Sequence, residues 1–115
     1  MSEHDDRLPM YHMLEHARDA VEMIRGRTRS ELDTSILLQH ALVHVIQVVG
    51  EAATRVSQAG RLAHPDIPWA EAIATRHRMV HGYDRIDYDV VWDTIVEDFP
   101  PLVAALERAL LGDAG

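Results

Sequence analysis

The chain has 115 residues, no cysteine and a net charge of -8 at neutral pH. This length indicates one domain, which we expect to cover residues 1–115 with a short acidic tail at residues 1–7. Hydrophobic residues make up 47% of the chain but aromatic residues only 5%, which favours packed helices built from Leu, Val, Ile and Ala. The negative charge argues against a broad basic surface for nucleic acid, so any such site must be local and recessed.

The sequence lacks the patterns of a leader and of a membrane span. No hydrophobic run approaches the roughly 18 residues expected of a spanning helix. The first residues, MSEHDDRLP, have neither the basic nor the apolar region of a signal peptide. We therefore expect a soluble, cytoplasmic protein without a membrane partner.

Helical spacing of apolar residues begins near the N-terminus. A first helix is predicted over residues 8–25, closed by Gly26. Start signals at Thr28 and Ser35 precede a second helix of roughly 25 residues, which should end before Gly60. Residues 61–68 contain two prolines and predict a connector.

The C-terminal half predicts further helices and no sheet. A short third helix should begin near Trp69 and end at His81-Gly82. Asp87 and Asp89 can cap a fourth helix, and Pro100-Pro101 interrupts its pattern, so this part is either two helices or one kinked helix. The expected fold class is an all-α bundle of four to five helices.

Residues 76–83, with the sequence RHRMVHGY, concentrate the chemically active side chains. An imidazole titrates near pH 6.5 in model compounds, so His81 is a candidate general acid or base. A guanidinium stays charged and can donate two parallel hydrogen bonds to phosphate, so Arg76 could stabilise a phosphoryl transition state. His77 and Arg78 are candidates for supporting or substrate-binding roles.

Other interpretations of this segment stay open. His81-Gly82 could simply be a helix end. Zinc could bind His77 and His81 at helical spacing, but Arg78 stands where a zinc protease helix has Glu, and neighbouring arginines would repel a cation. We therefore expect no metal and no cofactor. Small residues at Ala70 and Ala74 share a face with the histidines, which would let a symmetric dimer bring two copies of the segment together.

The pattern Arg76, four residues, His81 and Gly82-Tyr83 resembles the signature of HEPN-domain ribonuclease toxins of the HepT type. The flanking residues are similar to that family as well, over about residues 8–110: Ile67-Pro68-Trp69, Asp87-Tyr88-Asp89-Val90-Val91-Trp92, Pro100-Pro101-Leu102 and Gly50-Glu51-Ala52.

The resemblance implies a homodimeric HEPN bundle that cuts RNA without metal, by attack of a ribose 2′-hydroxyl on the neighbouring phosphate. Arg76 and His81 of both chains would be catalytic. It also implies a type VII-like toxin–antitoxin system, in which a minimal nucleotidyltransferase antitoxin transfers AMP to the motif tyrosine, here Tyr83. Such a modification would place a negative phosphate near His81 and compete with substrate for Arg76.

The chain departs from the family pattern at one position. The family usually carries Asn directly after the motif arginine, whereas this chain carries His77. We expect this difference to bear on catalytic strength rather than on family membership. The alternative function is a non-catalytic HEPN module that binds nucleotides or a nucleotidyltransferase through the same segment.

Overall fold

The computed structural model describes residues 5–80 and 85–112. The helices are α1 (Arg7–Met23), α2 (Arg29–Thr34), α3 (Ile36–Thr54), α4 (Gln58–Ala63), α5 (Trp69–Arg78), α6 (Tyr88–Asp93) and α7 (Phe99–Leu111), and a π-helical segment, Thr94–Asp98, joins α6 to α7. In the described ranges the β-type pairing is confined to an isolated antiparallel bridge between Val80 and Ile86. The predicted all-α bundle is confirmed.

Helix α3 lies at the centre of the bundle. It packs against α1 on one side and α5 on the other, and α1 also packs against α7. By length and composition alone α3 could cross a membrane, but 44% of its apolar window is buried inside the bundle. The fully buried side chains form one core, which includes Met13, Leu14, Leu32, Leu42, Ile46, Met79, Ile95 and Leu106.

Helix α1 agrees closely with the first predicted helix. Its buried residues recur at helical spacing, and Gly26 adopts a positive φ of 75° just beyond its end. The start of α1 is anchored, because the backbone N–H and the hydroxyl of Ser57 both donate to the Asp6 carboxylate at 2.8 and 2.6 Å. Asp6 and Arg7 of the expected tail are therefore part of the folded bundle.

The second predicted helix was right in its start signals, because Thr28 and Ser35 each precede a helix, but wrong in its length, because this part of the chain forms α2, α3 and α4. Ser35 has extended backbone and its hydroxyl accepts from the Leu38 N–H, so it separates α2 from α3 and caps α3. A second break after Thr54 precedes α4, whose first turn is capped by Ser57. The connector over 61–68 was also wrong in its first part, because residues 61–63 belong to α4.

The C-terminal part is one continuous helical run from α6 through the π-helical segment to α7, which agrees with the sequence alternative of a single helix rather than two. Asp87 caps α6 by accepting from the N–H groups of Asp89 and Val90. A proline ring clashes with the carbonyl four residues before it, and for Pro100 and Pro101 those carbonyls lie in the π-helical segment. Its wider turn, closed by the Phe99 N–H on the Thr94 carbonyl, accommodates both prolines without ending the helix.

Candidate active site

The crossing of α3 and α5 depends on Gly50. A Cβ atom at this position would lie 2.6 Å from Cδ and 2.7 Å from Cγ of Arg76, and 3.0 Å from the carbonyl oxygen of Ala72. The missing side chain therefore makes room for the stem of Arg76 between the two helices. Gly50 is therefore the point at which α3 and α5 approach each other closely.

Arg76 lies on α5 with its guanidinium turned toward α3. Its Nη1 donates to Oε2 of Glu51 at 3.0 Å, and the Arg76 side chain is 26% exposed against 53% for Glu51. The second oxygen of Glu51, Oε1, accepts from Nη2 of Arg55 at 3.3 Å. Nε of Arg76 is buried without a hydrogen-bond partner in the described part of the chain. The stem of Arg76 is thus enclosed, and its charged end is oriented by a carboxylate on the neighbouring helix.

An open groove of about 630 Å³ runs across the exposed face of α3 and includes this ion pair. Helix α1 contributes His12 to one wall, and α5 contributes Arg76 and His77 to the other. Gln47 and Glu51 of α3 lie between the two walls. The structure therefore places Arg76 and His77 on the same wall of one open groove.

Arg78 lies on another side of α5. Its guanidinium pairs with Glu71 at 2.7 Å and donates to Oγ1 of Thr75 at 3.2 Å, and it does not line the groove. The nearby Asp98 carboxyl has a raised pKa, chiefly because it is partly buried and further because Glu71 repels its charge, while Arg78 acts in the opposite direction. The structure separates Arg78 from Arg76, and its nearest charged groups are acidic.

The chain segments on either side of residues 81–84 are held together. Val80 and Ile86 form the antiparallel bridge, and the Asp87 N–H donates to the Met79 carbonyl at 2.7 Å. Helix α5 ends at Arg78, earlier than expected, and Val80 is outside it. His81 and Tyr83 fall outside the described residues, so their roles stay predictions.

Metal ligands do not converge in residues 5–80 and 85–112. No group of three or more His, Asp or Glu side chains there could hold a metal ion. Arg76, the candidate transition-state cation, instead has a protein carboxylate as its partner. The chemistry that the described groove offers is binding of anions by arginine and imidazole.

Sequence reasoning missed Glu51 as a member of this site. Glu51 precedes Arg76 by 25 positions, and only the packing of α3 on α5 brings the two side chains together. A usable signal existed, because Glu51 is a charged residue in an otherwise strongly apolar helix and directly follows the glycine of the helix crossing.

Similarity to a known protein family extends over most of the chain. Residues 13–109 match the model of the family described as Ribonuclease HepT-like. The chain belongs to this family. No solved structure matches the chain significantly.

Similar proteins occur in archaea and bacteria. A proposed RNase of Methanocaldococcus jannaschii is 28% identical over 93% of this chain and 98% of its own length. A ribonuclease HepT proposed in Thermococcus cleftensis is 31% identical over 83% of this chain and 90% of its own length. A proposed RNase of Caldanaerobacter subterraneus subsp. tengcongensis is 25% identical over 86% of this chain and 88% of its own length. These relatives and the family support a HEPN ribonuclease of the HepT type.

Proposed function

We propose that this protein is a metal-independent endoribonuclease and the toxin of a toxin–antitoxin pair. The observation that carries the proposal is the fixed position of Arg76, whose stem is enclosed at Gly50 and whose guanidinium pairs with Glu51 in a recessed groove. A cation held in this way can stabilise charge that develops on a phosphate, because no reorganisation is needed during the reaction.

Arg76 would bind the non-bridging oxygens of the scissile phosphate. A guanidinium has five N–H donors, and the contact with Glu51 uses Nη1. The ion pair therefore orients the group while leaving it able to bind a phosphate. Its strongest contribution would come in the pentacoordinate transition state, where the phosphoryl oxygens carry more negative charge.

His81 would move the protons of the reaction. As a base, an imidazole removes the proton of the ribose 2′-hydroxyl, whose oxygen forms a bond to phosphorus. The bond from phosphorus to the 5′-oxygen breaks, and a second imidazole in its acidic form protonates that oxygen. The products are a 2′,3′-cyclic phosphate and a 5′-hydroxyl, and no metal or redox partner enters the balance.

A homodimer would supply the second imidazole. Ala70 and His77 on α5 are exposed and Ala74 is half-buried, so this face has small residues available for another chain. Two copies of the segment that contains His81 would then meet, one histidine acting as base and the other as acid.

Regulation would come from a nucleotidyltransferase antitoxin. Transfer of AMP to Tyr83 places a phosphate two residues from His81 and adds negative charge that competes for Arg76. In this proposal RNA is the substrate and the antitoxin is the protein partner. The protein would act in the cytoplasm, where both are present.

The decisive test is cleavage of total cellular RNA by the purified, unmodified protein in EDTA. Arg76→Ala and His81→Ala should abolish cleavage, while Arg25→Ala should not, because Arg25 is an exposed residue that pairs with Glu22 outside the groove. The fragments should carry cyclic phosphates. Cleavage that survives both active-site substitutions would overturn the proposal, and a folded wild type that cuts nothing would favour the non-catalytic binding module.

A further inference from the structure

Two histidines that are far in sequence from the catalytic segment, residues 76–83, also line the groove. His12 lies on α1 and His44 on α3, and both line the groove that contains Arg76. The Arg76–His81 chemistry described above uses neither of them.

The histidines of α1 and α3 form a connected group. Nδ1 of His16 lies 2.8 Å from the carbonyl oxygen of His12, one turn earlier on α1. The ring of His16 meets the ring of His44 edge-on, with centroids 6.5 Å apart. The backbone contact orients His16, and its ring in turn limits where the His44 ring can lie. The group is therefore a defined surface at the α1–α3 boundary.

The charges around this group favour an anion. Arg55, Arg76 and His77 line the same groove, and the one carboxylate among the lining residues is Glu51, which is paired with both arginines. Outside the lining, Glu15 and His16 lie within one turn of His12 on α1, and His40 lies one turn from His44 on α3. A chain with a net charge of -8 thus concentrates cationic and titratable groups in one recess.

We infer that His12 and His44 form a second phosphate-binding subsite, which holds an RNA backbone phosphate next to the one at Arg76. This inference rests on the proposed ribonuclease function and names how the same groove recognises its substrate. A protonated imidazole binds phosphate more strongly than a neutral one, because the hydrogen bond is then charge-assisted, so RNA should bind more tightly at pH 6.0 than at pH 8.0. A single-stranded backbone fits, because an open groove can follow successive phosphates without reading bases.

The test uses a labelled 2′-O-methyl RNA, which cannot be cut through a 2′-hydroxyl. Its Kd for the wild type is measured by fluorescence anisotropy in EDTA at pH 6.0 and pH 8.0, over a series of salt concentrations. The test variant is His12→Gln combined with His44→Gln. The matched control is His40→Gln combined with His64→Gln, which removes two histidines that do not line the groove.

For the wild type and the control variant, the Kd for the labelled RNA should be about tenfold lower at pH 6.0 than at pH 8.0. The variant at His12 and His44 should lose most of this difference. A plot of the logarithm of the association constant against the logarithm of the salt concentration should be steeper at pH 6.0 than at pH 8.0, by about 0.7 for each added phosphate contact. This change should appear only in the proteins that retain His12 and His44.

An unchanged pH response in the groove variant would overturn the subsite. Dissociation of a dimer in that variant, measured by light scattering, would also overturn it and would assign the groove to contact between copies of the chain. The cleavage assay distinguishes failure of the subsite from failure of the proposed function. If the wild type cleaves RNA but the variant at His12 and His44 binds RNA as the wild type does, the protein is a ribonuclease without this subsite.

Discussion

Oε2 of Glu51 on α3 lies 3.0 Å from Nη1 of Arg76 on α5, across the crossing that Gly50 makes possible. A protein carboxylate therefore occupies a position beside the guanidinium that a substrate phosphate would also favour. The contact both orients Arg76 and competes with the anion that Arg76 would bind.

Substitution of Glu51 separates these two effects. Glu51→Gln retains an oxygen that can accept from Arg76 but removes the competing charge, so KM for RNA should fall while kcat stays within a few-fold of wild type. Glu51→Ala removes the orienting contact as well, and kcat should fall by about tenfold to a hundredfold because the guanidinium is no longer held in position.

Steady-state cleavage of a short RNA at several salt concentrations measures both parameters. Glu22→Gln, at an exposed ion pair on α1, is the matched control. Equal losses in the Gln and Ala variants would contradict a positioning role, because rescue by the conservative variant is the expected signature.

The lack of a side chain at Gly50 should be essential for the packing of α3 on α5. Gly50→Ala introduces a Cβ atom 2.6 Å from Cδ of Arg76 and 3.0 Å from a backbone oxygen. Overpacking of this kind costs about 1–3 kcal/mol of unfolding free energy, and cleavage should fall as well because Arg76 must move. Urea denaturation measures the first effect. His40→Ala on the exposed side of α3 is the control, and a Gly50→Ala protein as stable and active as that control would refute the tight crossing.

Asp98 should lower the stability of the protein at neutral pH. Partial burial and repulsion by Glu71 raise its pKa above the ordinary 3.8, so the folded state binds the proton more tightly than the unfolded state does. Proton binding by Asp98 therefore stabilises the folded state. This contribution is complete below about pH 3.8 and is lost as the pH rises through the pKa of Asp98 in the folded state.

Asp98→Asn should therefore raise the Tm at pH 7, and the difference should shrink as the pH approaches the ordinary value of 3.8. Thermal unfolding followed by circular dichroism over this pH range provides the measurement. Asp19→Asn, on the exposed side of α1, should show no comparable trend. A constant difference at all pH values would show that the charge of Asp98 is not responsible.

Tyr83→Phe should escape the proposed antitoxin. The phenolic oxygen that would accept AMP is absent in this variant, so toxicity should persist when the nucleotidyltransferase is co-expressed, and mass spectrometry should find no added AMP. Tyr11→Phe, which removes a hydroxyl on α1, should remain protected like the wild type. Full protection of the Tyr83→Phe strain would place the modification elsewhere.

Most of the fold follows from local patterns in the sequence. The apolar stripe of α1, the turn at Gly26 and the cap at Asp87 each depend on residues close together in the chain, which is why they could be predicted. The break after Thr54 could not, because apolar residues continue at helical spacing from Val49 through Ala52 to Val56. The end of α3 there is therefore not marked by the spacing of its apolar residues.

The candidate site divides in the same way. Arg76, His77, His81 and Tyr83 lie within one short segment, so the chemistry of their side chains and a family resemblance were enough to single them out. Tertiary structure alone decided that Arg78 turns away toward Glu71, that Glu51 holds Arg76, and that His12 and His44 share their groove. These relationships join separate helices, and helix packing, which sets the distances between their side chains, is not encoded in the spacing of residues along any one of them.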